Sequence, residues 1–587
     1  MPTKRLLLFC FLSIQTLAQS PDQQLDKIVA DTWAFRLIDE PGLALSAGLG
    51  QSPDRLYDYS EAAYQKRTAF YRQQLNALRA LPVNQLSVAN RTNAALLIYS
   101  LDENVAEYDL KGYLNPLLAD GGPHTSFSFT PGRLPFQTVA DYERYIKTMH
   151  AFPAQMAEVI TLLREGLRQG ITQPKIVLAG YQSTYQAHVV ADPTESIFFK
   201  PFTQMPATFS AADRDRLMQA GKQAVMEGVV VGYRAFGRFM DNDYLPNLRT
   251  TLGASDLPNG VAFYRQRVRY YTTLDLTPEA VHQTGLAEVA RIHNEMDTVM
   301  AKTGFKGTFP EFLAFLRTNE RFYPKTPGEL LREASYIAKR ADDKLPAFFS
   351  RLPRQPYGVS PVPDAIAPKY TTGRYVGAPL GGTKAGQYWV NTYNLSSRPL
   401  YVLESLTLHE AVPGHHLQLA LSAEMTDLPL FRRSFYVGAF SEGWGLYCEW
   451  LGREMGFYTD PYSDFGRLTY EMWRACRLVV DTGIHAKGWS RERAIQYMAD
   501  NTALSMHEIG TEVDRYISWP GQALAYKTGE IKIKQLRRQA EAELTDKFDI
   551  RQFHDALLAQ GSVTLPILEQ VVADYIRKVK QTPIRKK

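Results

Sequence analysis

The sequence predicts a mostly α-helical protein of two lobes, with a small β-hairpin or short sheet near a candidate metal site. Three observations predict it. The chain of 587 residues is longer than one ordinary core requires. Long stretches carry apolar residues at helical spacing. A segment rich in proline and glycine interrupts them and leads into one strand-prone run.

The first eighteen residues stand apart. Lys4 and Arg5 precede an apolar run from Leu6 to Leu17, and Ala18 supplies a small residue for cleavage, so residues 1–18 read as a signal peptide. Cys10 lies inside the apolar run behind bulky Phe9, which argues against a lipoprotein signal. The expected mature protein is therefore exported, periplasmic or extracellular, without a membrane anchor. No run of about 20 apolar residues follows, and 45% hydrophobic with 22% charged residues is a globular composition.

Loss of Lys4 and Arg5 takes the formal charge from +5 to +3, too little to argue for a nucleic-acid partner. The basic tail IRKVKQTPIRKK reads as a solvated end. Of the cysteines only Cys448 and Cys476 remain after processing, and spacing alone leaves open a bridge or two thiols.

Residues 19–350 form the expected N-terminal helical lobe, in which SEAAYQKRTAFYRQQLNALRAL and PEAVHQTGLAEVARIHNEMDTVMAK show the helical period. From Arg351 to Gly386, Pro353, Pro356, Pro361, Pro363, Pro368 and Pro379 alternate with glycines, and the lobe boundary is placed there. QYWVNTYNL is the best strand candidate, since Tyr, Trp, Val and Thr suit a pleated surface. Beyond Pro399 the helical pattern resumes and carries residues 351–587, the expected catalytic lobe.

The chemistry concentrates in LTLHEAVPGHHLQLA. It begins like H-E-x-x-H, in which two histidines one turn apart hold zinc and the intervening Glu activates water. Here Pro413 occupies the fifth position. On an unbroken helix His415 and His416 would stand roughly 9 to 10.5 Å beyond His409 along the axis, too far for a shared tetrahedral ion. Pro413 and Gly414 offer a break that brings one of them back. His415 needs the smaller distortion and is preferred, with His416 as the alternative. The third ligand is assigned to Glu442 in AFSEGWGLYCEWLGREMGFY. Glu449, seven residues on and on the same face, is expected to orient a ligating histidine. Gly443 and Gly445 each cost about 1 kcal/mol relative to Ala in a helix, so something should approach that backbone closely. Glu410 becomes the general base, and Zn2+ the expected cofactor.

Supporting roles are expected elsewhere. His485, Tyr526, Tyr516 and, with less reason, His507 are candidate donors to an oxyanion. Arg515 and Lys527 are candidate partners of a peptide carboxylate. Tyr388, Asn391 and Tyr393 lie on a strand that could hold an extended peptide along its edge.

In these motifs the chain resembles the bacterial domain-of-unknown-function 885 (DUF885) family, which is itself distantly similar to the helical gluzincin metallopeptidases of the thimet oligopeptidase type. The resemblance spans nearly the whole mature chain. It rests on HEAVPGHHLQ from His409, SEGWGLYCEWLGREMG from Ser441, DTGIHAKGWSRERA from Asp481 and RYISWPGQALAYKTG from Arg515. It implies two helical lobes around a deep cleft, a metal on His409, His415 and Glu442, and Glu410 as base.

The reading is a zinc-dependent hydrolase, a peptidase, acting on a peptide or small amide. Hydrolysis of a cell-wall or other non-protein amide at the same site is the alternative enzyme. A binding module with a structural, four-ligand zinc, His416 being the fourth, is the non-enzymatic alternative. No G-x-S-x-G elbow and no G-x-x-x-x-G-K-[ST] phosphate loop occurs.

Overall fold

A computed structural model describes residues 19–50, 53–364, 366–378, 384–433 and 435–582. The expected signal peptide lies outside the described residues.

The protein is mostly helical, with one short sheet. Helices begin where side chains satisfy their free amides. Ser60 accepts from Ala63 N–H at the head of Glu61–Ala80. Thr277 accepts from Ala280 N–H at the head of α1 (Pro278–Lys302), with Pro278 in its first turn. Both helices coincide with the amphipathic stretches read from sequence.

The proline- and glycine-rich segment forms a three-stranded sheet of β1 (Tyr357–Pro361), β2 (Gly373–Val376) and β3 (Gly386–Val390) in the order β1-β3-β2. β3 runs parallel to β1 and antiparallel to β2, with Arg374 opposite Trp389 and Tyr375 opposite Tyr388.

Two expectations are corrected here. β3 is central, so both its edges are taken and no peptide can add along QYWVN. Two of its proposed binding residues, Tyr388 and Asn391, are structural. Tyr388 is fully buried with its hydroxyl 3.3 Å from Thr407 Oγ1. Asn391 ends the strand by donating to the carbonyls of Ala367, Tyr370 and Thr371 at 2.9, 3.0 and 3.1 Å. Tyr393 lies exposed just beyond.

The C-terminal part supplies α2 (Leu403–Glu410), α3 (His415–Ala423), α4 (Gly438–Leu451), α5 (Pro461–Lys487), α6 (Met506–Ser518) and α7 (Ala525–Leu544). α5 is the axle. Every residue from Phe465 to His485 is buried, as expected of a helix enclosed on all sides. One hydrophobic core runs from Leu96 to Ile576 and joins the two expected lobes, while Leu25, Tyr71, Leu75 and Leu97 form a smaller N-terminal core.

Burial in α5 is compatible with charge because the charges pair. Glu471 meets Lys527 of α7 at 2.8 Å, and Lys527 Nζ also lies 3.1 Å from Glu288 of α1 and 2.6 Å from Glu530. Lys527 is therefore an interior strut with no exposed surface, and its expected role with a peptide carboxylate is corrected. Cys448 and Cys476 are free, buried thiols, and burial pushes both up, away from the reactive thiolate. No helix among the described residues is long and apolar enough to cross a membrane.

Candidate metal centre

The Pro413-Gly414 interruption does what the spacing requires. α2 ends at Glu410, the chain folds through Ala411–Gly414, and α3 restarts at His415. Trp444 of α4 pins the fold by donating from Nε1 to Pro413 O at 2.9 Å. The two histidines are thereby brought ring to ring, with centroids 4.7 Å apart and planes at 89°.

Glu442, on the first turns of α4, completes the group. Its Oε2 lies 3.5 Å from His409 Nε2 and 3.4 Å from His415 Nε2. One ligand atom from each of the three residues lies within 4.8 Å of the others. Ligands about 2.0 to 2.1 Å from a tetrahedral ion stand roughly 3.3 to 3.4 Å apart, so the donor set fits zinc in chemistry and in spacing.

α4 needs its glycines to do this. A Cβ on Gly445 would lie 2.5 Å from His409 Cε1 and 2.7 Å from Nε2, inside the imidazole's own volume. A Cβ on Gly443 would meet the Gly529 backbone at 2.5 Å, where α4 and α7 touch main chain to main chain. Both close approaches were anticipated from the cost of glycine in a helix; His409 and Gly529 are what approaches.

Glu449, two turns beyond Glu442, takes His409 Nδ1 at 2.8 Å and is held by Arg474 of α5 at 3.2 Å. A carboxylate only accepts, so Nδ1 carries a hydrogen and Nε2 is the nitrogen turned to the triad, where a bound cation would take the place of its proton. Burial would depress the His409 pKa, but its bonds to Glu442 and Glu449 override it and raise it to about 10. Burial would likewise raise Glu442, yet His409 and His415 hold its carboxyl well below the usual range. The pocket stabilises positive charge.

Glu410 follows His409 on the last turn of α2. Its Oε2 accepts from Tyr375 N–H of the edge strand β2 at 2.7 Å. One oxygen is thus fixed by the sheet.

Two lining groups were missed from the sequence. Tyr436, half exposed, donates its phenol to Glu442 Oε1 at 2.7 Å. The ring is open to solvent but its hydroxyl end is enclosed, and burial there together with that carboxylate raises the phenol pKa well above its ordinary value, with Tyr526 contributing. Arg374 of β2 acts on Tyr436, Tyr526 and Glu410 from the sheet side. Neither residue stands in a pattern that distinguishes it from other tyrosines and arginines. Tyr526 stands at the head of α7. Its ring lies under Arg477 at 4.2 Å and its hydroxyl lies 3.5 Å from Arg515 Nη2.

Other expectations are corrected by geometry. His485 is fully buried, accepting from Ala254 N–H at Nδ1 (3.0 Å) and donating to Tyr516 O from Nε2 (2.9 Å), so no hydrogen remains for an oxyanion. The Tyr516 hydroxyl accepts from Trp473 Nε1 at 2.9 Å and Arg477 Nε at 3.0 Å inside the core. His416 faces the sheet, its Nδ1 3.0 Å from the Tyr375 hydroxyl, and is not a fourth ligand of the triad. His507 is exposed on the first turn of α6.

Comparison with known proteins places this architecture. No curated protein matches the chain. A crystal structure of a candidate lipoprotein from Colwellia psychrerythraea superposes with a TM-score of 0.89 at 28% identity, covering 95% of this chain and all of that one. A candidate lipoprotein of unknown function from Shewanella oneidensis shares the fold with a TM-score of 0.68 at 18% identity, again over 95% of this chain and all of that one. The family model described as bacterial protein of unknown function (DUF885) matches residues 41–572. The chain therefore belongs to the DUF885 family.

Proposed function

We propose that the protein is an exported zinc-dependent hydrolase that cleaves peptide bonds. The observation that carries this reading is the triad itself: one carboxylate oxygen 3.5 and 3.4 Å from two imidazole nitrogens, with a further carboxylate, Glu410, beside them and outside the ligand set. Export rests on the signal-like first eighteen residues and on the likeness to structures named as candidate lipoproteins.

His409, His415 and Glu442 would hold the ion, and Glu449 would keep His409 in the ligating tautomer. Zinc bound there supplies Lewis acidity and brings the pKa of a water toward about 7. Glu410 takes the proton of the attacking water on its free oxygen and returns it to the leaving nitrogen. Tyr375 N–H stops that carboxylate from turning away. The phenol of Tyr526 is the donor that meets the developing oxyanion, because Tyr436 spends its one hydrogen on Glu442.

Glu410→Gln tests the reading. The variant keeps its zinc and loses about 10²- to 10⁴-fold of a chelator-sensitive hydrolysis of peptide mixtures. Zinc retained with full activity would remove Glu410 from the mechanism.

A further inference from the structure

Two cations beside the candidate metal centre have more charge than their surroundings consume. Arg374 is exposed at the edge of the sheet. The Tyr370 phenol, Tyr526 and Glu410 act electrostatically on its guanidinium. No Asp or Glu among the described residues forms an ion pair with it, and every Asp and Glu of the chain is among them. Glu410 is not spare, because β2 holds it toward the triad.

Arg515 is the second cation. It shares Glu512 with Arg477, at 3.4 Å and 2.9 Å respectively, so one carboxylate serves two guanidiniums. Its other bonds go to neutral partners, Gln522 at 2.8 Å and the Tyr526 hydroxyl at 3.5 Å. About a fifth of its side chain remains exposed.

Both cations act on Tyr526, and Tyr526 is linked electrostatically to Tyr436, whose phenol is bonded to Glu442. We propose that Arg374 and Arg515, on either side of Tyr526, form a subsite for a carboxylate of the substrate. This deepens the hydrolase reading and depends on it for the identity of the bound molecule as substrate. A carboxylate fits better than a phosphate because two separated guanidiniums offer planar, hydrogen-bonding recognition of a single charge. The carboxylate has two chemical sources, the free C-terminus of a peptide or the side chain of Asp or Glu.

The test uses full-length, zinc-loaded protein and one short peptide in four forms: free acid or C-terminal amide, each with Glu or Gln at the residue after the scissile bond. Wild type is expected to favour the charged forms by about 10- to 100-fold in kcat/KM, the range of a hydrogen bond to a charged group. The preference follows the C-terminus if the α-carboxylate binds and follows Glu if the side chain does. Arg374→Gln reduces it to near unity and Arg374→Lys restores part of it, with the loss in KM.

Calorimetric binding of the same peptides to chelator-treated protein separates this proposal from the catalytic one. Charge-dependent binding lost in Arg374→Gln without any hydrolysis keeps the subsite and defeats the hydrolase reading. Metal-dependent hydrolysis with equal rates on all four forms overturns the subsite and leaves the hydrolase reading standing. Equal binding of the four forms by wild type and Arg374→Gln also overturns it.

Discussion

Gly445→Ala isolates the packing that positions His409. The added methyl carbon would lie 2.5 Å from His409 Cε1 and 2.7 Å from Nε2, whereas carbon contacts settle near about 3.5 to 4.0 Å. The ring must therefore retreat by roughly 1 Å, although its Nδ1 is tied at 2.8 Å to Glu449, one turn further along the same helix. A Zn–N bond of about 2.0 to 2.1 Å does not tolerate such a displacement. Outer partners of a ligand are alone worth about 10- to 100-fold in metal affinity, so losing the ligand's position should cost at least about 100-fold. Stability moves differently. Alanine gains about 1 kcal/mol of helix propensity over glycine, against an overpacking cost of about 1 to 3 kcal/mol. The metal-free variant should thus unfold within about 2 kcal/mol of wild type. Zinc competition against a chromophoric chelator measures the first effect and denaturant unfolding with chelator present the second. Wild-type zinc affinity in a folded Gly445→Ala protein would refute the placement of His409 against α4.

Glu449→Gln keeps an acceptor for His409 Nδ1 but removes its charge and leaves Arg474 without its carboxylate; zinc affinity should fall about 10- to 100-fold in the same competition assay, and unchanged affinity would exclude the orienting role. Asp481, fully buried and bonded to the Tyr264 hydroxyl at 2.6 Å and to Gly521 N–H, has its carboxyl pushed by burial from 3.8 to about 7. The folded protein then holds a proton that the unfolded chain releases, so this group's contribution to stability is present below about pH 4 and is lost as pH rises to about 7. The full swing is on the order of 4 kcal/mol. Asp481→Asn should gain on wild type in denaturant unfolding as pH rises through that window, and a pH-independent difference would contradict the assignment.

How far the sequence revealed the site depended on how local each signal was. His409, His415, Glu442 and Glu449 were legible because one helix break and one seven-residue spacing fix their geometry within two short segments. Gly443 and Gly445 announced close approaches by their cost alone, though not which residues would fill them. The helices at Glu61–Ala80 and Pro278–Lys302 were legible through their caps and period. What depends on long-range packing was not. His485 stands on a helix as any candidate donor would, and only tertiary structure brings Ala254 and Tyr516 to its two nitrogens. Lys527 reads as an accessible cation until α1 and α5 supply Glu288 and Glu471. QYWVNTYNL has strand chemistry along its whole length, yet Asn391 spends its amide on three carbonyls and ends β3. Arg374 and Tyr436 reach the site from a strand and a loop whose sequences carry no catalytic pattern.

The most direct test of the central claim is the metal content of protein purified without chelator, by elemental analysis, for wild type and for His409→Ala, His415→Ala, Glu442→Ala and His416→Ala. About one zinc per chain is expected in wild type and in His416→Ala, and none in the other three. A folded wild type without metal, or zinc retained in the triad variants and lost in His416→Ala, would contradict it.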